Sequence, residues 1–546
     1  MAGAPHVADA ATTPRRRAWD ALAAGSPFDV LVIGGGCSGL GVAVDAADRG
    51  LRVALVERDD FAAGSSSRST KLVHGGVRYL QRGDVKLVRE ALHERGLLLR
   101  NAPHLCHRRR FVIPAWAWWE RPWYGLGMKA YDALAGRLGL GPSRWLSREQ
   151  ALAALPNAKR DRLRGAITYE DGQFDDARLC VALARTAQER GAVLLNHAEV
   201  AALVHERGRV AGAEVQSGPL GHAVVRAEVV VNCTGPFSDG VLAMDRLGGG
   251  VPAGGLIAPS RGSHVVLDAA FLGGPDALMV PRTPDGRVLF AIPWHGRVVV
   301  GTTDEPLDHA PRDPRPSEQE VAFLLQTAAG VMEKAPGRAD VRASFAGVRP
   351  LVRPAGAGTN TAKLSRDHTL RVSASGLITL AGGKWTTYRR MAEDAVDRVV
   401  ELGGFHAPPC GTRRLPLHGA PAAREVAEPA GAFEPRDLFG SLAPALDELC
   451  RERPGWNQPL HPSLPHRVGE VAWAARHEMA ETLEDALARR LRVTLLDVEA
   501  ARASAAPAAA AMAAELGWDD AQQAAAEARF LATLPPAGAG PPAAVG

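Results

Sequence analysis

Residues 28–57 read FDVLVIGGGCSGLGVAVDAADRGLRVALVE, and this stretch decides the fold. Its apolar run Val30 to Ile33 is followed by a glycine turn, by apolar residues at helical spacing, and by a second apolar run that ends at Glu57. This order predicts a β-strand, a helix and a second, parallel strand. Such a unit opens a doubly wound domain, so the sequence predicts the α/β class.

Three glycines form the pattern GxGxxG between the first strand and the helix. Gly34 permits the tight turn, Gly36 lets the backbone approach a pyrophosphate, and Gly39 lets the helix pack closely on the strand. The helix N-terminus supplies amide donors, and Glu57 would accept hydrogen bonds from ribose hydroxyls. The alternative is a glycine turn that binds nothing, but the acid at the end of the second strand argues against it. The pattern predicts a dinucleotide site.

FAD and NAD both use this fingerprint, so the choice between them rests on the chain that follows. The hydroxyl-rich stretch Ser65 to Lys71 suits the wrapping of a long cofactor. A second glycine cluster, Gly248 to Gly250, lies in loop-like sequence and does not follow a strand. We therefore predict one dinucleotide site, occupied by FAD.

The charge balance and the cysteines exclude several classes of protein. Lys and Arg total 64 against 60 for Asp and Glu, and this net charge of +4 does not indicate a nucleic-acid binder. The six cysteines form no CxxC pair, so we expect no metal site and reduced thiols, as in the cytoplasm. No secretory signal follows the Arg15 to Arg17 run, and no charge-free apolar run reaches the roughly 18 residues of a spanning helix. Any membrane contact is expected to be peripheral.

The distribution of Pro, Ala and Gly divides the chain. In the predicted C-terminal domain, residues 468–495 contain few helix breakers and are expected to form one helix. The predicted parts are, in chain order, a disordered tail (1–27), the oxidoreductase domains (28–410), a linker (411–440), a helical domain (441–534) and a second disordered tail (535–546).

Residues 71–80 read KLVHGGVRYL, and here the sequence resembles the FAD-dependent glycerol-3-phosphate dehydrogenases of the aerobic, quinone-linked type. Trp385 departs from the family, which often has an aliphatic residue there, and this change affects the expected pocket wall. Further family motifs follow in family order up to about residue 400: DDARL (175–179), NCTGP (232–236), GSH (262–264), GVRP (347–350), SRDH (365–368) and GGKWTTYR (382–389).

The resemblance implies a Rossmann-like FAD-binding domain of the glutathione reductase type. This domain is expected to be interwoven with a β-sheet substrate domain and followed by the C-terminal α-helical domain. The implied FAD segments are residues 28–90, 165–245 and 345–405. The residues assigned to cofactor contact are Gly34, Gly36, Gly39, Glu57, Ser67, Ser69, Lys71, His74, Gly75, Thr234, Gly235, Gly383 and Lys384.

The implied reaction is the oxidation of glycerol 3-phosphate to dihydroxyacetone phosphate. A phosphate with a charge near −2 requires arginine forks or lysine point charges, and hydride transfer from C2 requires a base for the C2 hydroxyl. His264 is the candidate base, and the alternative is a core histidine at the start of a strand. The other assigned residues are Arg349 and Lys384 for alkoxide and phosphate, and Arg78, Tyr79, Arg366 and Thr386 for substrate contact.

Residues 175–178 begin the DDARL motif, and they are assigned to structure instead of catalysis. Asp175, Asp176 and Arg178 are expected to form a local helix cap and an ion pair that shape the cofactor domain.

An arginine and tryptophan segment indicates how the protein meets a membrane. The run Arg108 to Arg110 is followed by Trp116, Trp118, Trp119 and Trp123, a composition that suits a monotopic docking surface. A subunit interface or a pocket wall is the alternative. The resemblance implies a quinone acceptor and a peripheral position on the inner face of the cytoplasmic membrane, and it leaves a homodimer open.

Two other functions remain open on the sequence. One is a soluble FAD oxidase that uses O2 on glycerol 3-phosphate or on an amine such as glycine or sarcosine, which would not need the tryptophan segment. The other is a flavin-bearing interaction or sensor module, which would gain nothing from the cationic loops. Peroxide release in lipid-free buffer would favour the first, and failure of every polyol phosphate to bleach the flavin would favour the second.

Overall fold

The computed structural model describes residues 13–76, 84–283, 286–353, 367–422 and 435–536. Arg78, Tyr79 and Arg366 lie outside these ranges, as do residues 1–12 and 537–546 of the two predicted tails.

Two β-sheets carry the described fold. Their strands are β1 (Phe28–Ile33), β2 (Val53–Val56), β3 (Leu72–Val73), β4 (Cys106–Ala115), β5 (Arg144–Leu146), β6 (Gly165–Phe174), β7 (Val193–Leu195), β8 (Glu199–Glu206), β9 (Arg209–Ser217), β10 (Gly221–Asn232), β11 (Ile257–Asp268), β12 (Ala277–Val280), β13 (Leu289–Trp294), β14 (Arg297–Gly301), β15 (Glu305–Pro306), β16 (Ala343–Val352), β17 (His368–Val372) and β18 (Ile378–Gly382).

Helices cover these sheets and form the C-terminal part of the chain. They are α1 (Pro14–Ala23), α2 (Cys37–Asp48), α3 (Val85–Asn101), α4 (Glu120–Ala135), α5 (Arg148–Ala154), α6 (Asp176–Glu189), α7 (Ser238–Met244), α8 (Glu318–Ala329), α9 (Tyr388–Gly403), α10 (Ala443–Glu452), α11 (Val468–Glu478), α12 (Val493–Leu496), α13 (Val498–Ala503), α14 (Ala505–Leu516) and α15 (Asp520–Thr533).

The first sheet holds the predicted dinucleotide unit. Its order is β17-β18-β10-β1-β2-β7, and β1 pairs in parallel with β2 on one side and with β10 on the other. Residues 30–33 and 53–56 are buried throughout, because helices such as α2 and α9 pack on the sheet. The carboxyl ends of β1, β2 and β10 therefore meet at one edge, where a ligand of this fold binds.

The second sheet contains β11 and β16, the strands on which His264 and Arg349 lie. Its order is β15-β11-β14-β13-β12-β4-β6-β3, with β16 paired to β11 and β5 paired to β6. Strand β11 lies antiparallel to β16, so that Ser260 faces Arg349 and His264 faces Phe345. The two sheets alternate along the chain, which confirms the interwoven fold class. Within the implied FAD segments 165–245 and 345–405, strand β6 and residues 345–352 of strand β16 belong to the second sheet.

The C-terminal domain is helical, as expected, but residues 468–495 are not one helix. Helix α11 ends at Glu478, Met479 takes a left-handed φ of 57°, and a π-helical turn follows over Asp485–Arg490. The turn is wound this way because Arg489 and Arg490 both pair with Asp60 of the first domain, a tertiary contact that helical periodicity does not reveal. The alanine-rich helix α14 packs in the domain core.

The predicted N-terminal tail is ordered over Pro14–Ala23, so the prediction of disorder is wrong there. Thr13 caps α1 by accepting a hydrogen bond from the Arg16 amide, and Pro14 takes the first helical position. Trp19 and Leu22 are buried in the core of the first domain. Two apolar residues one turn apart are enough to anchor this short helix, and the low periodicity of residues 1–27 concealed them.

The predicted linker is packed at both of its described ends. Leu415 and Leu417 before residue 423, and Leu438 and Phe439 after residue 434, are buried in the same core. Residues 423–434 lie outside the described ranges. The described parts of the predicted linker, residues 411–422 and 435–440, therefore belong to the folded part of the protein.

Candidate active site

A cleft of about 1120 Å³ opens at the carboxyl ends of β1, β2 and β10. Several sequence-predicted cofactor residues line it together: Gly34, Gly36, Glu57, Thr234, Gly235, Gly383 and Lys384. They come from four separate loops, and the parallel pairing of the strands brings those loops to one edge. The cleft lies where the glycine pattern predicts a dinucleotide site.

The glycines of the first turn leave no room for side chains. A Cβ atom at Gly39 would lie 1.9 Å from the Gly34 carbonyl oxygen, and one at Gly34 would lie 2.7 Å from the Cys233 carbonyl oxygen. A Cβ at Gly36 would come within 3.0 Å of Ser66 Oγ. Gly34 also has a φ of 111°, which favours glycine. The turn therefore holds the N-terminus of α2 against the strand, with its backbone facing the cleft.

Glu57 ends β2 and is held by backbone amides. Its Oε2 accepts a hydrogen bond from the Gly35 amide at 2.6 Å, and its Oε1 accepts one from the Asp59 amide at 2.9 Å. Burial raises the pKa of this carboxyl, and the two amides oppose that shift. These contacts fix the carboxylate at the cleft wall, where its remaining lone pairs can accept from ribose hydroxyls.

The residues present fit FAD. Glu57 suits a ribose, the α2 N-terminus and the Thr234–Gly235 turn suit a pyrophosphate, and Gly383 and Lys384 line the same cleft. The Thr234 turn is stable because Asn232 Oδ1 accepts from both the amide and the hydroxyl of Thr234. A GxGxxG turn of this kind is a recurrent binding motif for FAD.

Ser69 and Lys71 are not among the residues that line the cleft, although the sequence assigns them to the cofactor. Lys71 Nζ is fully buried and donates to Asp176 Oδ2 and to the Ser67 carbonyl oxygen, each at 2.7 Å. Burial lowers the pKa of Lys71 to about 7, while Asp176 opposes the shift. Ser69 Oγ also donates to Asp176 Oδ2, at 2.7 Å. These side chains hold the segment that wraps the cleft.

His264 lies inside the protein on β11, beside the segment just described. Its Nε2 is 3.0 Å from Thr70 Oγ1, and its ring stacks on Phe345 with the centroids 4.7 Å apart. Nδ1 has no hydrogen-bond partner among the described residues. Burial, and then the positive charges of Lys71 and Arg349, hold the pKa of His264 well below its usual 6.5. The imidazole is therefore neutral at physiological pH.

Arg349 lies on the neighbouring strand β16. Its guanidinium donates to Asp304 Oδ1 at 3.2 Å, to Thr302 Oγ1 at 3.0 Å and to the Thr303 carbonyl oxygen at 2.9 Å. These acceptors follow the end of β14 and fix the direction of the guanidinium. Arg349 is only half-buried, so it keeps access to a bound anion.

Three more predicted residues meet at a second point. Thr386 is buried and its Oγ1 approaches the His74 carbonyl oxygen at 3.5 Å. The Gly75 amide donates to the Tyr131 hydroxyl at 2.9 Å, and a Cβ at Gly75 would lie 2.5 Å from that oxygen. The HGG and KWTT motifs are therefore adjacent in space, next to the described limit of the chain at residue 76.

The DDARL motif has a structural role, as expected. Asp175 caps α6 by accepting from the Arg178 amide at 3.0 Å. The expected local ion pair is wrong, because Arg178 pairs with Glu478 at 2.6 Å and Asp176 pairs with Lys71 and Arg492. Glu478 and Arg492 lie about 300 residues away in the sequence, and no local pattern reports such pairs.

Trp385 and the cysteines complete the surroundings of the cleft. Trp385 Nε1 donates to the Ser66 carbonyl oxygen at 2.9 Å, so this departure from the family motif braces the cleft wall. All six cysteines are free thiols. Burial raises the pKa of Cys106, Cys180 and Cys233, so these thiols are unreactive.

One cluster outside the prediction has metal-ligating residue types. Asp60, His197 and Asp485 bring ligand atoms within 4.8 Å of one another. However, Asp60 already pairs with Arg489 at 2.6 Å and with Arg490 at 2.5 Å. These two guanidiniums neutralise the carboxylates, so the cluster is an ion-pair network that joins the C-terminal domain to the first domain.

The fold and the cleft define an FAD-dependent oxidoreductase. The FAD dependent oxidoreductase family matches residues 29–389, and the family described as the C-terminal domain of alpha-glycerophosphate oxidase matches residues 410–523.

Individual relatives narrow this class. A probable mitochondrial glycerol-3-phosphate dehydrogenase of Caenorhabditis elegans is 41% identical over 528 residues, which cover 92% of this chain and 72% of the relative. The mitochondrial enzyme of Saccharomyces cerevisiae is 38% identical, with 93% and 89% covered. The FAD complex of glycerol-3-phosphate dehydrogenase from Bacillus halodurans superposes with a TM-score of 0.76 at 28% identity, covering 95% of this chain and 97% of that one. The chain belongs to the FAD-dependent glycerol-3-phosphate dehydrogenase family, and its cofactor is FAD.

None of the described helices is both long enough and apolar enough to span a bilayer.

Replacement of Glu57 by Gln tests the cofactor site. The variant loses the charge and sets an amide donor against the Gly35 or Asp59 amide, so we expect FAD to bind about 10-fold to 100-fold more weakly. Titration of the apoprotein with FAD, followed by flavin fluorescence, measures this. Glu228→Gln, an exposed acid on β10, is the control and should bind FAD as the wild type does. Equal affinity of the Glu57 variant and the wild type would exclude a ribose contact by Glu57.

Proposed function

We propose that this protein oxidises sn-glycerol 3-phosphate to dihydroxyacetone phosphate and passes the electrons to a membrane quinone. The observation that carries the proposal is the position of a buried, neutral His264 on β11 and of the cationic Arg349 on the adjacent strand β16 of the second sheet. The names of the relatives, all glycerol-3-phosphate dehydrogenases, support the same substrate.

His264 would take the proton of the substrate C2 hydroxyl. A base must be neutral to do so, and burial keeps this imidazole neutral. Thr70 and the Phe345 ring fix the orientation of the imidazole. When bound, FAD supplies N5 as the acceptor for the hydride that leaves C2. The C2 carbon thereby loses one hydride and its oxygen one proton, which gives the ketone.

The cations would bind the phosphate and stabilise the developing alkoxide. Arg349 is held in one direction by Asp304 and Thr302, so its fork is organised before the substrate arrives. Lys384 lines the cleft next to Gly383 and would add a point charge. We assign Arg78, Tyr79 and Arg366 to the same substrate by their family motifs, and these three residues lie outside the described ranges.

An anaerobic titration tests substrate and site together. Addition of glycerol 3-phosphate to the FAD-loaded protein should bleach the flavin absorbance near its visible maximum. Arg349→Ala should reduce the bleaching rate by about 10²-fold to 10³-fold, because it removes one preorganised charge. Arg371→Ala, an exposed arginine on β17, should bleach as the wild type does. If glycerol 3-phosphate leaves the wild-type flavin oxidised while an amine bleaches it, the proposed substrate is wrong.

The pH dependence of the bleaching rate tests His264. Because its pKa is lowered, the imidazole stays neutral above its usual value of 6.5, so the rate should be independent of this residue's titration at pH 7 to 8 and should fall only at lower pH. His264→Gln should lower the rate by about 10²-fold to 10⁴-fold and remove that acid limb. A variant with a wild-type rate and pH profile would make His264 a core histidine with no part in proton transfer.

An exposed apolar stripe supports the membrane part of the proposal. Trp118, Trp119, Trp123 and Leu126 are 75%, 50%, 63% and 75% exposed, at the start of α4. Trp119, Trp123 and Leu126 follow the i, i+4, i+7 spacing and share one helix face. The opposite face is anchored by buried residues such as Met128 and Tyr131. Indole rings on an exposed helix face are typical of proteins that lie in the headgroup zone.

The arginines before this stripe belong to the fold. Arg110 forms a two-pronged pair with Asp276, at 2.8 and 2.5 Å, and Arg109 donates to Gln173 and to the Pro275 carbonyl oxygen. The proposed docking surface therefore consists of the tryptophan stripe, and Lys129 on the same helix is exposed near it. The proposal places the protein on the inner face of the cytoplasmic membrane, where quinone is available.

Substitution of the stripe tests the docking surface. The triple variant Trp118→Ser, Trp119→Ser, Trp123→Ser should lose co-sedimentation with phosphatidylglycerol vesicles that contain a quinone, and should lose quinone reduction, while glycerol 3-phosphate still bleaches its flavin. Val224→Ser with Leu247→Ser removes exposed apolar side chains elsewhere and should change neither property. If the triple variant binds vesicles normally and instead dissociates from a dimer to a monomer, the stripe is a subunit interface.

The second candidate function is a soluble oxidase that uses O2 on glycerol 3-phosphate or an amine. The match of residues 410–523 to the C-terminal domain of alpha-glycerophosphate oxidase favours the polyol phosphate form of this candidate. Stoichiometric peroxide release in lipid-free buffer would identify the oxidase, and reduction of quinone without peroxide would identify the dehydrogenase.

A further inference from the structure

A buried cluster of charges lies where the C-terminal domain meets the substrate and cofactor domains. Arg492 is fully buried and takes a left-handed φ of 65°, just before α12. Its guanidinium reaches out of its own domain, donating to the Ser67 carbonyl oxygen at 2.7 Å and to Asp176 Oδ1 at 2.8 Å. It also donates to the Ala488 carbonyl oxygen of its own domain at 3.0 Å. One side chain therefore ties the C-terminal domain to residue 67.

The segment that Arg492 contacts is the one that joins the main parts of the active site. Ser66 Oγ accepts from the Cys37 amide, at the first turn of the dinucleotide helix, at 2.9 Å. The Ser65 hydroxyl donates to the Val348 carbonyl oxygen, one residue before Arg349. Thr70 contacts His264. The position of residues 65–71 thus affects the cofactor helix, the cationic strand and the candidate base.

Within the cluster, two positive charges and two negative charges hold this segment. Lys71 and Arg492 share Asp176, and Arg492 approaches Asp175 Oδ1 at 3.6 Å. Asp175 also pairs with the buried His295 at 3.1 Å. Lys71 is already committed to Asp176 and to the Ser67 carbonyl oxygen, so it cannot replace the fork of Arg492.

We propose that Arg492 is a positioning residue through which the C-terminal helical domain sets the Ser65–Lys71 segment, and so organises FAD binding and the Thr70–His264 contact. The part of this proposal that concerns His264 rests on the proposed function, whereas the part that concerns FAD does not. Arg492 does not line the cleft, and its contact with the second sheet is with the Trp294 ring, whose centroid lies 5.4 Å from the guanidinium carbon. It acts through the Ser67 carbonyl oxygen and Asp176.

The planar guanidinium is essential to this role. Three acceptors from two domains surround it, and their separation suits a fork with donors on several edges. Arg492 uses Nη2 for the Ser67 carbonyl oxygen and Asp176 and uses Nη1 for the Ala488 carbonyl oxygen. A lysine has the same charge but a single nitrogen on a flexible stem, so it cannot hold the acceptors of both domains in this way. Arg492→Lys therefore keeps the charge balance of the cluster while releasing the segment.

The test compares Arg492→Lys with Arg178→Lys. Arg178 is a suitable control because it forms a similarly buried pair with Glu478 across the same domain boundary, at 2.6 Å, without contacting residues 65–71. The readouts are FAD affinity, from titration of the apoprotein, and the visible circular dichroism of bound flavin. We expect Arg492→Lys to weaken FAD binding about 10-fold and to change the flavin spectrum, while the control keeps both even where its thermal midpoint falls.

Wild-type FAD affinity and flavin spectrum in Arg492→Lys would overturn the proposal. A parallel loss in both variants, in proportion to their loss of stability, would also overturn it, since it would show that the cluster only joins the domains. If Arg492→Lys is not recovered folded, Asp176→Asn serves instead, because it is isosteric and removes the charge that Arg492 and Lys71 share; FAD affinity equal to wild type would contradict the account.

The Thr70–His264 contact is tested separately. Thr70→Val removes the hydroxyl at unchanged volume, so FAD affinity should stay the same while the pH profile of substrate-driven bleaching shifts. An unchanged profile would overturn the His264 part alone. If glycerol 3-phosphate does not bleach even the wild-type flavin, the proposed function fails, and the FAD measurements still decide the role of Arg492.

Discussion

The structure depends on one close approach, that of the first turn of helix α2 to the end of strand β1. The absence of side chains at Gly34 and Gly39 lets the helix N-terminus sit where a Cβ atom would collide with backbone oxygen. The amides and positive dipole end of the helix thereby face the cleft and suit a pyrophosphate. Parallel pairing then brings the ends of β2 and β10 to the same edge, with Glu57 on one side and the Thr234 turn on the other. The cofactor site follows from this packing.

Around that site, burial determines what the ionisable groups can do. His264 is neutral because it is removed from water beside two positive charges, and this state suits a base for an alcohol. Arg349 remains charged, half-buried and directed by Asp304. The second sheet thus offers a neutral acceptor for a proton and a cation for an anion on adjacent strands. Lys71 and Arg492, by contrast, both form buried ion pairs with Asp176. These ion pairs hold the Ser65–Lys71 segment, which joins the two sheets.

Local patterns in the sequence predicted the features that local geometry determines. The sequence is sufficient to predict three features: the glycine turn, the acid at the end of β2 and the glycines at the ends of later strands. Each of these features depends on a few neighbouring residues. The ion pairs of Lys71 and Arg492 with Asp176 could not be predicted from the sequence, since the three residues come from distant parts of the chain. Helix α1 was missed because two buried residues anchor it without a long apolar periodicity. The break after Glu478 was missed because contacts with Asp60 wind the next turn.

In the proposed reaction, a hydride leaves C2 of glycerol 3-phosphate within the site formed by the FAD cleft and the second sheet. Anaerobic stopped-flow reduction of the bound flavin by glycerol 3-phosphate carrying deuterium at C2 tests it most directly. We expect a primary kinetic isotope effect on the rate of bleaching, and no such effect when deuterium is placed at C1 instead. A rate insensitive to deuterium at C2 but slowed by deuterium at C1 would contradict the account, because the bond broken would then be a different one.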